Sequence, residues 1–453
     1  MPHADLIVHN AGQLVTCASG GNPKRGAAMQ DVGIQEDGAV AIARGKFVGV
    51  GSSNDILAAY QAEQMLDAEG RVVCPGFVDP HTHLVYAGDR LHEFELKIKG
   101  AEYLEILASG GGILSTVHHT REASLESLVE QSRERLDKML ACGTTACEIK
   151  TGYGLDTETE LKMLQVIEEL DTTHSMDIVP TFLAAHTVPL EFKGNTDGYV
   201  DLICMEMLPA AAEWYMGYRL RRSLRRSFES GRGIVGCGTP FIKEHLANPG
   251  MNFFVDVFTE RNAFDIEQTE RIFSTASALG FRLKAHVDQF TNLGGSRLAI
   301  ESKAVSIDHL DAISDEEIAA LAASGTIGVV IPTENFNAGK TQFAPARKLI
   351  DAGCAVAIST DFNPGSAPCP SQPMAMAIAC RYQKLLPAEA LNAATINAAY
   401  SVGLGATYGS VEVGKQADLL VWNATDFREI AFEFGGNLVN AMIKRGKSVS
   451  TGK

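Results

Sequence analysis

The sequence predicts an α/β chain, a (β/α)8 TIM barrel with a second, small β-sandwich domain built from both termini. Three observations carry this expectation. Eight short apolar runs alternate with amphipathic helical stretches through the middle of the chain. Polar residues gather just after those runs, at the strand ends where such a barrel keeps its chemistry. The two ends of the chain, in contrast, read as short strands joined by tight turns.

At the N-terminus, Asp5–His9, Val40–Ala43, Lys46–Val50 and Met65–Gly70 read as strands. Gly409–Gly414, Ala417–Trp422 and Val439–Lys444 repeat the style at the C-terminus. Residues 1–74 with 406–453 are therefore expected to form the composite sheet domain, and 75–405 the barrel. The expected barrel strands are Val72–Val78, Thr144–Lys150, Ile178–Ala184, Phe253–Phe258, Arg282–His286, Ala304–Asp308, Thr326–Ile331 and Ala355–Ser359. Between them, Leu125–Leu140, Thr157–Leu170 and Glu267–Leu279 carry helical periodicity.

A chain of 453 residues, 45% hydrophobic and 21% charged, suits one large barrel plus a smaller module. The formal net charge of −16 argues against nucleic acid and anionic membrane surfaces as partners. The start Met1-Pro-His-Ala-Asp-Leu6 has no basic and apolar leader pattern, and no apolar run reaches the roughly 18 residues of a membrane span. Nine scattered cysteines without a C-x-x-C pair read as reduced thiols of a cytoplasmic protein.

The stretch Cys74-Pro-Gly-Phe-Val-Asp-Pro-His81-Thr-His83 runs a short buried strand into two histidines one residue apart. Residues i and i+2 of a strand face one side, so both imidazoles can address one point, as metal ligands do. The other strand ends bring Lys150 and Tyr153, His186, His286 and Gln289, Asp308-His309, and Asp361 with Asn363, Gly365 and Ser366. Five of the twelve histidines thus fall on one rim, more than core packing explains. His81, His83, His286 and Asp361 supply three imidazoles and a carboxylate, a donor set for one zinc or iron ion per subunit with a position left for water. Such an ion lowers the pKa of water from about 15.7 to roughly 7. Asp361 can take that proton and return it to a leaving nitrogen, and His309 can orient the water or polarise a carbonyl. The plainer alternative for Asp361 is a helix N-cap. A second metal would want a bridging ligand such as a modified lysine at the end of strand 4, but Val257-Phe-Thr-Glu260 offers none. Lys150 on strand 2 reads as an ion-pair partner or a substrate contact.

Together these residues resemble the amidohydrolase superfamily, and within it more closely the imidazolonepropionase family of histidine degradation. The resemblance spans nearly the whole chain. Its most specific stretches are Asp79-Pro-His-Thr-His-Leu-Val-Tyr-Ala-Gly-Asp-Arg90, Gly110-Gly-Gly-Ile-Leu-Ser-Thr116, Glu148-Ile-Lys-Thr-Gly-Tyr-Gly-Leu155 and Ser359-Thr-Asp-Phe-Asn-Pro-Gly-Ser366. It implies hydrolysis of the ring amide of 4-imidazolone-5-propanoate to N-formimidoyl-L-glutamate, with one zinc or iron ion on the four ligands above, in a homodimer. The propanoate tail then calls for a receptor. Arg90 offers charge-assisted, bidentate hydrogen bonds, and Asn363, Gly365 and Ser366 add donors. The resemblance also puts Tyr103, Tyr153 and His186 in this pocket. Simpler roles stand beside these: a surface ion pair for Arg90, helix packing for Tyr103, a loop anchor for Tyr153 and a core hydrogen bond for His186.

Two departures from the family pattern matter. Gln289 stands where some members carry glutamate; it can hydrogen-bond the imidazolone ring but cannot accept a proton, which leaves Asp361 as the shuttle. Deaminases of the superfamily use an acidic residue there, so Gln289 weighs against the alternative of a deaminase, though not against another cyclic amidase acting on a carboxylate-bearing heterocycle. A binding protein that has kept the barrel and lost catalysis is a third reading, opposed by the complete ligand set. The second departure is an apparent insertion at about 214–250. It carries Arg219, Arg221, Arg222, Arg225, Arg226 and Arg232, with Leu220, Leu224 and Phe228 every four residues. That pattern suggests a basic amphipathic helix, read as a solvated or oligomer-facing excursion, with an active-site lid as the alternative.

Overall fold

The computed structural model describes residues 1–100, 111–229 and 252–449. Sixteen strands follow in chain order. The first eight are β1 (His3–Val15), β2 (Ile34–Ala43), β3 (Lys46–Ser52), β4 (Gln61–Asp67), β5 (Val72–Pro75), β6 (Phe77–Asp79), β7 (Thr144–Lys150) and β8 (Asp177–Ala185). The rest are β9 (Phe254–Thr259), β10 (Arg282–Val287), β11 (Ser306–His309), β12 (Ile327–Val330), β13 (Val356–Ile358), β14 (Leu419–Trp422), β15 (Val439–Lys444) and β16 (Lys447–Val449).

β6 to β13 pair in parallel, each beside the next in sequence, as helix-linked crossovers dictate. The ring is completed at the rim, where Thr82 bridges to Phe362 and the His83 N–H donates to the Phe362 carbonyl at 3.0 Å. Asp79 seals the same seam from within, accepting from the hydroxyls of Ser359 and Thr360, both at 2.5 Å. The second unit joins both ends of the chain. β1 pairs antiparallel with β2 and in parallel with β4 and β5; β5 pairs with β14, which leads through β15 to β16. Hydrogen bonds link all eight strands into one continuous sheet, with Leu6, Val8, Val40, Phe47, Leu419 and Ile443 packed together on one side.

Side-chain alternation decides what lines the barrel. On β7, Cys147 and Ile149 join the helix-facing core, while Ala146, Glu148 and Lys150 point inward. On β10, Leu283, Ala285 and Val287 face the helices, and Lys284 and His286 face the interior. The interior is therefore layered: Val78, Ala146, Val179, Phe254, Val329 and Ala357 fill its lower part, and charged side chains then histidines lie above. The helices Leu125–Ala141, Thr157–Thr173 and Ile266–Ala278 follow the expected ranges within a few residues, each opened by a capping side chain from Ser124, Asp156 or Asp265.

Three expectations differ from the fold. The single strand expected over Val72–Val78 is two strands. Val72–Pro75 belongs to the terminal sheet and Phe77–Asp79 to the barrel, with the break at Gly76, where a side chain would collide with Thr145. Gly409–Gly414 forms no strand; it is a loop tied to Thr16 by the Val411 N–H at 2.7 Å. The third concerns the arginine-rich stretch, where the helix Leu208–Glu229 begins before it and its first turns are docked rather than solvated. Tyr215 stacks on Phe253 at 4.5 Å, the Tyr218 hydroxyl donates to Asp171 at 2.8 Å, and Arg222 pairs with Asp171 at 3.0 Å. Aromatic side chains at 214, 215 and 218 outweigh the charge pattern, because the barrel offers them an apolar seat. Residues 230–250 of that stretch lie outside the described residues. No helix among the described residues is long and apolar enough to cross a membrane.

Candidate active site

Inside the barrel, the residues with the strongest chemistry stand in register on neighbouring strands. Lys284 on β10 is opposite Asp256 on β9, and His286 is opposite Asp308 on β11. Lys150 donates to Asp256 at 2.7 Å and pairs with Glu148 at 2.9 Å; Lys284 donates to Glu148 and to the Pro80 carbonyl, both at 2.8 Å. All five charged side chains are fully buried. Three carboxylates thus face two ammonium groups beneath the histidines. The surplus negative charge favours a cation above it.

The carboxylates of this floor also set the histidines. Asp308 Oδ2 is 2.6 Å from Nδ1 of His81, and Asp256 Oδ1 is 3.0 Å from Nδ1 of His286. Each hydrogen bond puts the imidazole proton on Nδ1 and leaves Nε2 as a lone-pair donor pointing up. Those donors converge: Nε2 of His83 is 3.3 Å from that of His81 and 3.5 Å from that of His286. Asp361 Oδ1 is 3.6 Å from Nε2 of His81 and 3.4 Å from Nε2 of His83, and among the described residues it has no hydrogen-bond partner. A tetrahedral ion with bonds of about 2.0–2.1 Å separates its ligands by about 3.3–3.4 Å. These four separations are close to that spacing, and among the described residues His81, His83 and Asp361 form one candidate ligand group, while His83 with His186 and His286, and His81 with His286 and His309, form two that overlap it.

Electrostatics supports the ligand state. Burial, reinforced by neighbouring Lys150, His186 and His286 in turn, holds His81, His83 and His309 well below the usual imidazole range. Burial brings His186 down to about 3. These rings are neutral near pH 7, as ligation requires. Burial and the charge of Glu334 push the Asp361 carboxyl well above the usual range, a rise that a cation beside its Oδ1 would reverse. The backbone is strained where it presents these groups: Asp361 has φ +50°, and His309 and Leu310 have +82° and +70°.

The remaining expected residues are distributed unevenly. His186 stacks on His83 with centroids 4.9 Å apart, and its Nδ1 is 3.0 Å from the Gly152 carbonyl. Tyr153 is buried 6.0 Å from the His83 ring and 5.5 Å from the His186 ring. His309 lies 5.4 Å from the His81 ring and 5.3 Å from the His286 ring. Arg90 is gripped in a fork by Glu93, Nε at 2.7 Å and Nη2 at 2.5 Å, and turns Nη1 against Gly365 so closely that a side chain there would collide. The ion pair expected as the simpler role of Arg90 is present, largely buried rather than at the surface. The Gly365 and Ser366 N–H groups both donate to Asn363 Oδ1 at 2.8 Å, and Asn363 Nδ2 donates to the Asp361 carbonyl and the Ser366 hydroxyl. The turn satisfies itself, so its donors brace Asp361 rather than stand open for a carboxylate. Gln289 is half-buried on the loop after β10, and no hydrogen bond joins its side chain to the cluster among the described residues. Tyr103 lies outside the described residues.

Sequence reasoning offered an ion pair as one role for Lys150, which the structure shows, named Asp308 without a role, and gave no role to Glu148, Asp256, Lys284 and Glu334. A signal was available. Glu148 and Lys150, Asp256, and Lys284 with His286 interrupt apolar strands at inward-facing alternate positions, and buried charge in a strand is rarely idle.

An eight-stranded parallel barrel whose strand ends converge three histidines and an aspartate is the architecture of an amidohydrolase, and the amidohydrolase family profile matches residues 267–449. A solved adenosine deaminase from Xanthomonas campestris with bound zinc has the same fold, with a TM-score of 0.67 at 19% identity, over 99% of this chain and 93% of its own. The imidazolonepropionase of Herpetosiphon aurantiacus is 49% identical over 449 residues, 99% of this chain and 98% of the relative. That of Chloroflexus aggregans is 48% identical over 451 residues, the full length of both. The chain belongs to the imidazolonepropionase family.

Proposed function

We propose that this chain hydrolyses the ring amide of 4-imidazolone-5-propanoate to N-formimidoyl-L-glutamate, using one metal ion held by His81, His83, His286 and Asp361. The observation that carries the reading is the approach of Nε2 of His83 to Nε2 of His81 and His286, and of Asp361 Oδ1 to Nε2 of His81 and His83, at 3.3–3.6 Å above a floor of buried carboxylates. When bound, zinc or iron would supply the positive charge that acidifies water at neutral pH and polarises the ring carbonyl. Asp361 takes the proton from the attacking water and delivers it to the ring nitrogen as the C–N bond breaks. His309, whose Nδ1 has no hydrogen-bond partner among the described residues, steers the water or the carbonyl oxygen. Arg90 holds the propanoate tail on the side of the Gly365 turn, and Tyr153 and His186 wall the ring. Gln289 hydrogen-bonds the ring without a share in proton transfer. The reading extends to a cytoplasmic homodimer; its support is the resemblance and, for the compartment, eight free cysteine thiols among the described residues.

Elemental analysis together with the fading of imidazolone absorbance tests the proposal. About one ion per chain and steady loss of absorbance are expected, and the analysis separates zinc from iron. Metal-replete protein that leaves the absorbance unchanged would overturn it.

A further inference from the structure

Glu334 is a buried carboxylate on the barrel rim with no task in the reaction above. It follows β12 in the short helix Pro332–Asn337, and its side chain is 3% exposed. Hydrogen bonds fasten that segment to the Asp361 turn on both sides. Thr333 Oγ1 donates to the Thr360 carbonyl at 2.7 Å, and Asn337 Nδ2 to the Ser366 carbonyl at 2.8 Å. Asn335 Nδ2 reaches back to Asp311, on the loop that carries His309. Glu334 therefore faces the space shared by Asp361 and His309, and its charge contributes to the rise in the Asp361 pKa.

Its two oxygens differ. Oε1 accepts from Lys340 Nζ at 3.0 Å. Among the described residues Oε2 is buried without a hydrogen-bond partner, 3.8 Å from an equally unpartnered Nδ1 of His309. Buried polar atoms are rarely left so, and an exception calls for a missing partner. Asp311 brings a second carboxyl within 4.8 Å of Glu334 and His309, but its own Oδ1 takes Asn335 Nδ2, and the Lys340 ammonium offsets the charge of the pair. On the side of the substrate space, the partner that suits Oε2 is an N–H donor. In the reaction proposed above, water adds hydroxyl to the ring carbonyl carbon and its other proton to the departing nitrogen. Both ring nitrogens then belong to a formamidine, which takes one more proton from solvent to become a cation.

We infer that Glu334 is a specificity-determining residue whose Oε2 accepts the ring N–H of the substrate and pairs with the amidinium as it forms. The inference rests on the imidazolone reading of the site, but its test does not need turnover. The probes are 3-(pyrrol-2-yl)propanoate, which has a ring N–H and no basic ring nitrogen, and 3-cyclopentylpropanoate, which has the same tail and no N–H. The zinc-loaded protein should bind the pyrrole roughly 10- to 100-fold more tightly, as a hydrogen bond to a charged acceptor gives. In Glu334→Gln the amide must turn its oxygen to Lys340 and its NH2 to the pocket, a donor in place of an acceptor. That variant should lose the preference, bind the cyclopentyl probe as the wild type does, keep its zinc and drop in kcat/KM by a similar factor. Equal affinity of the wild type for both probes would overturn the inference even if the variant fails to fold. So would a preference that persists in Glu334→Gln, a parallel weakening of both probes, or loss of zinc. An intact preference without imidazolone turnover would refute the proposed function and leave the contact standing.

Discussion

Replacing Asp256 with asparagine exchanges one oxygen for one NH2 group of nearly equal size, so packing is preserved and only the hydrogen bonding changes. In the wild type, Oδ1 accepts from Nδ1 of His286 at 3.0 Å and from its backbone N–H at 3.2 Å, while Oδ2 accepts from Lys150 at 2.7 Å. An amide has one acceptor. If it faces His286, its NH2 confronts the buried ammonium of Lys150; if it faces Lys150, its NH2 confronts the Nδ1 proton of His286. Removing one partner of a buried ion pair costs about 3–5 kcal/mol. Lys150 keeps Glu148 at 2.9 Å, so the lower end, about 3 kcal/mol, is expected for the metal-free protein in urea unfolding. Loss of the carboxylate behind a metal-binding histidine weakens the metal about 10- to 100-fold, measurable by chelator competition. Unchanged urea unfolding together with unchanged zinc affinity in Asp256→Asn would refute the role given to the charged floor.

Asp361→Asn should retain the ion at reduced affinity and lose nearly all turnover; near-normal turnover beside intact metal content would remove Asp361 from proton transfer. Arg90→Lys keeps the charge but loses the fork on Glu93 that aims Nη1 at the Gly365 turn, so KM for the propanoate substrate should rise roughly 10-fold with kcat little changed. An unchanged KM would leave Arg90 as an ion-pair partner of Glu93 alone. Asp177, at the start of β8, joins the barrel to Lys444 of the terminal sheet at 2.5 Å and to Arg445. Burial raises its pKa, but the two cations outweigh this and hold it well below the carboxylate range. A depressed folded-state pKa stabilises the protein above the unfolded value of about 3.9, and that share is lost as pH falls below about 4. Asp177→Asn should therefore be less stable by roughly 3 kcal/mol at pH 7 and lose less on going to pH 2. Urea-unfolding curves that shift in parallel with pH for both proteins would contradict this.

Much of the barrel was legible because parallel strands buried on both faces must read as apolar runs, and helices packed on them must repeat near 3.6 residues. Thr144–Lys150 and Leu125–Ala141 are such cases. The break at Gly76 was not legible, since Val72–Val78 is apolar throughout and its division depends on which sheet offers the partner strand. The docked helix over Leu208–Glu229 was misread for a related reason: its arginines are conspicuous in sequence, whereas the seat for Tyr215 exists only after Phe253 is in place.

The metal-site candidates follow from sequence alone, because His-x-His at a strand end already aims two imidazoles together and a histidine or aspartate closing another strand must share that rim. Which groups complete the site does not follow. Asp308 reaches His81 from 227 positions away and Asp256 reaches His286 across 30, and both depend on strand register. The self-satisfied Asn363 turn, the Glu93 grip on Arg90 and the open oxygen of Glu334 likewise arise from where loops land. Covalent chain order decides which side chains a strand can present; only packing of the closed barrel decides what each one meets.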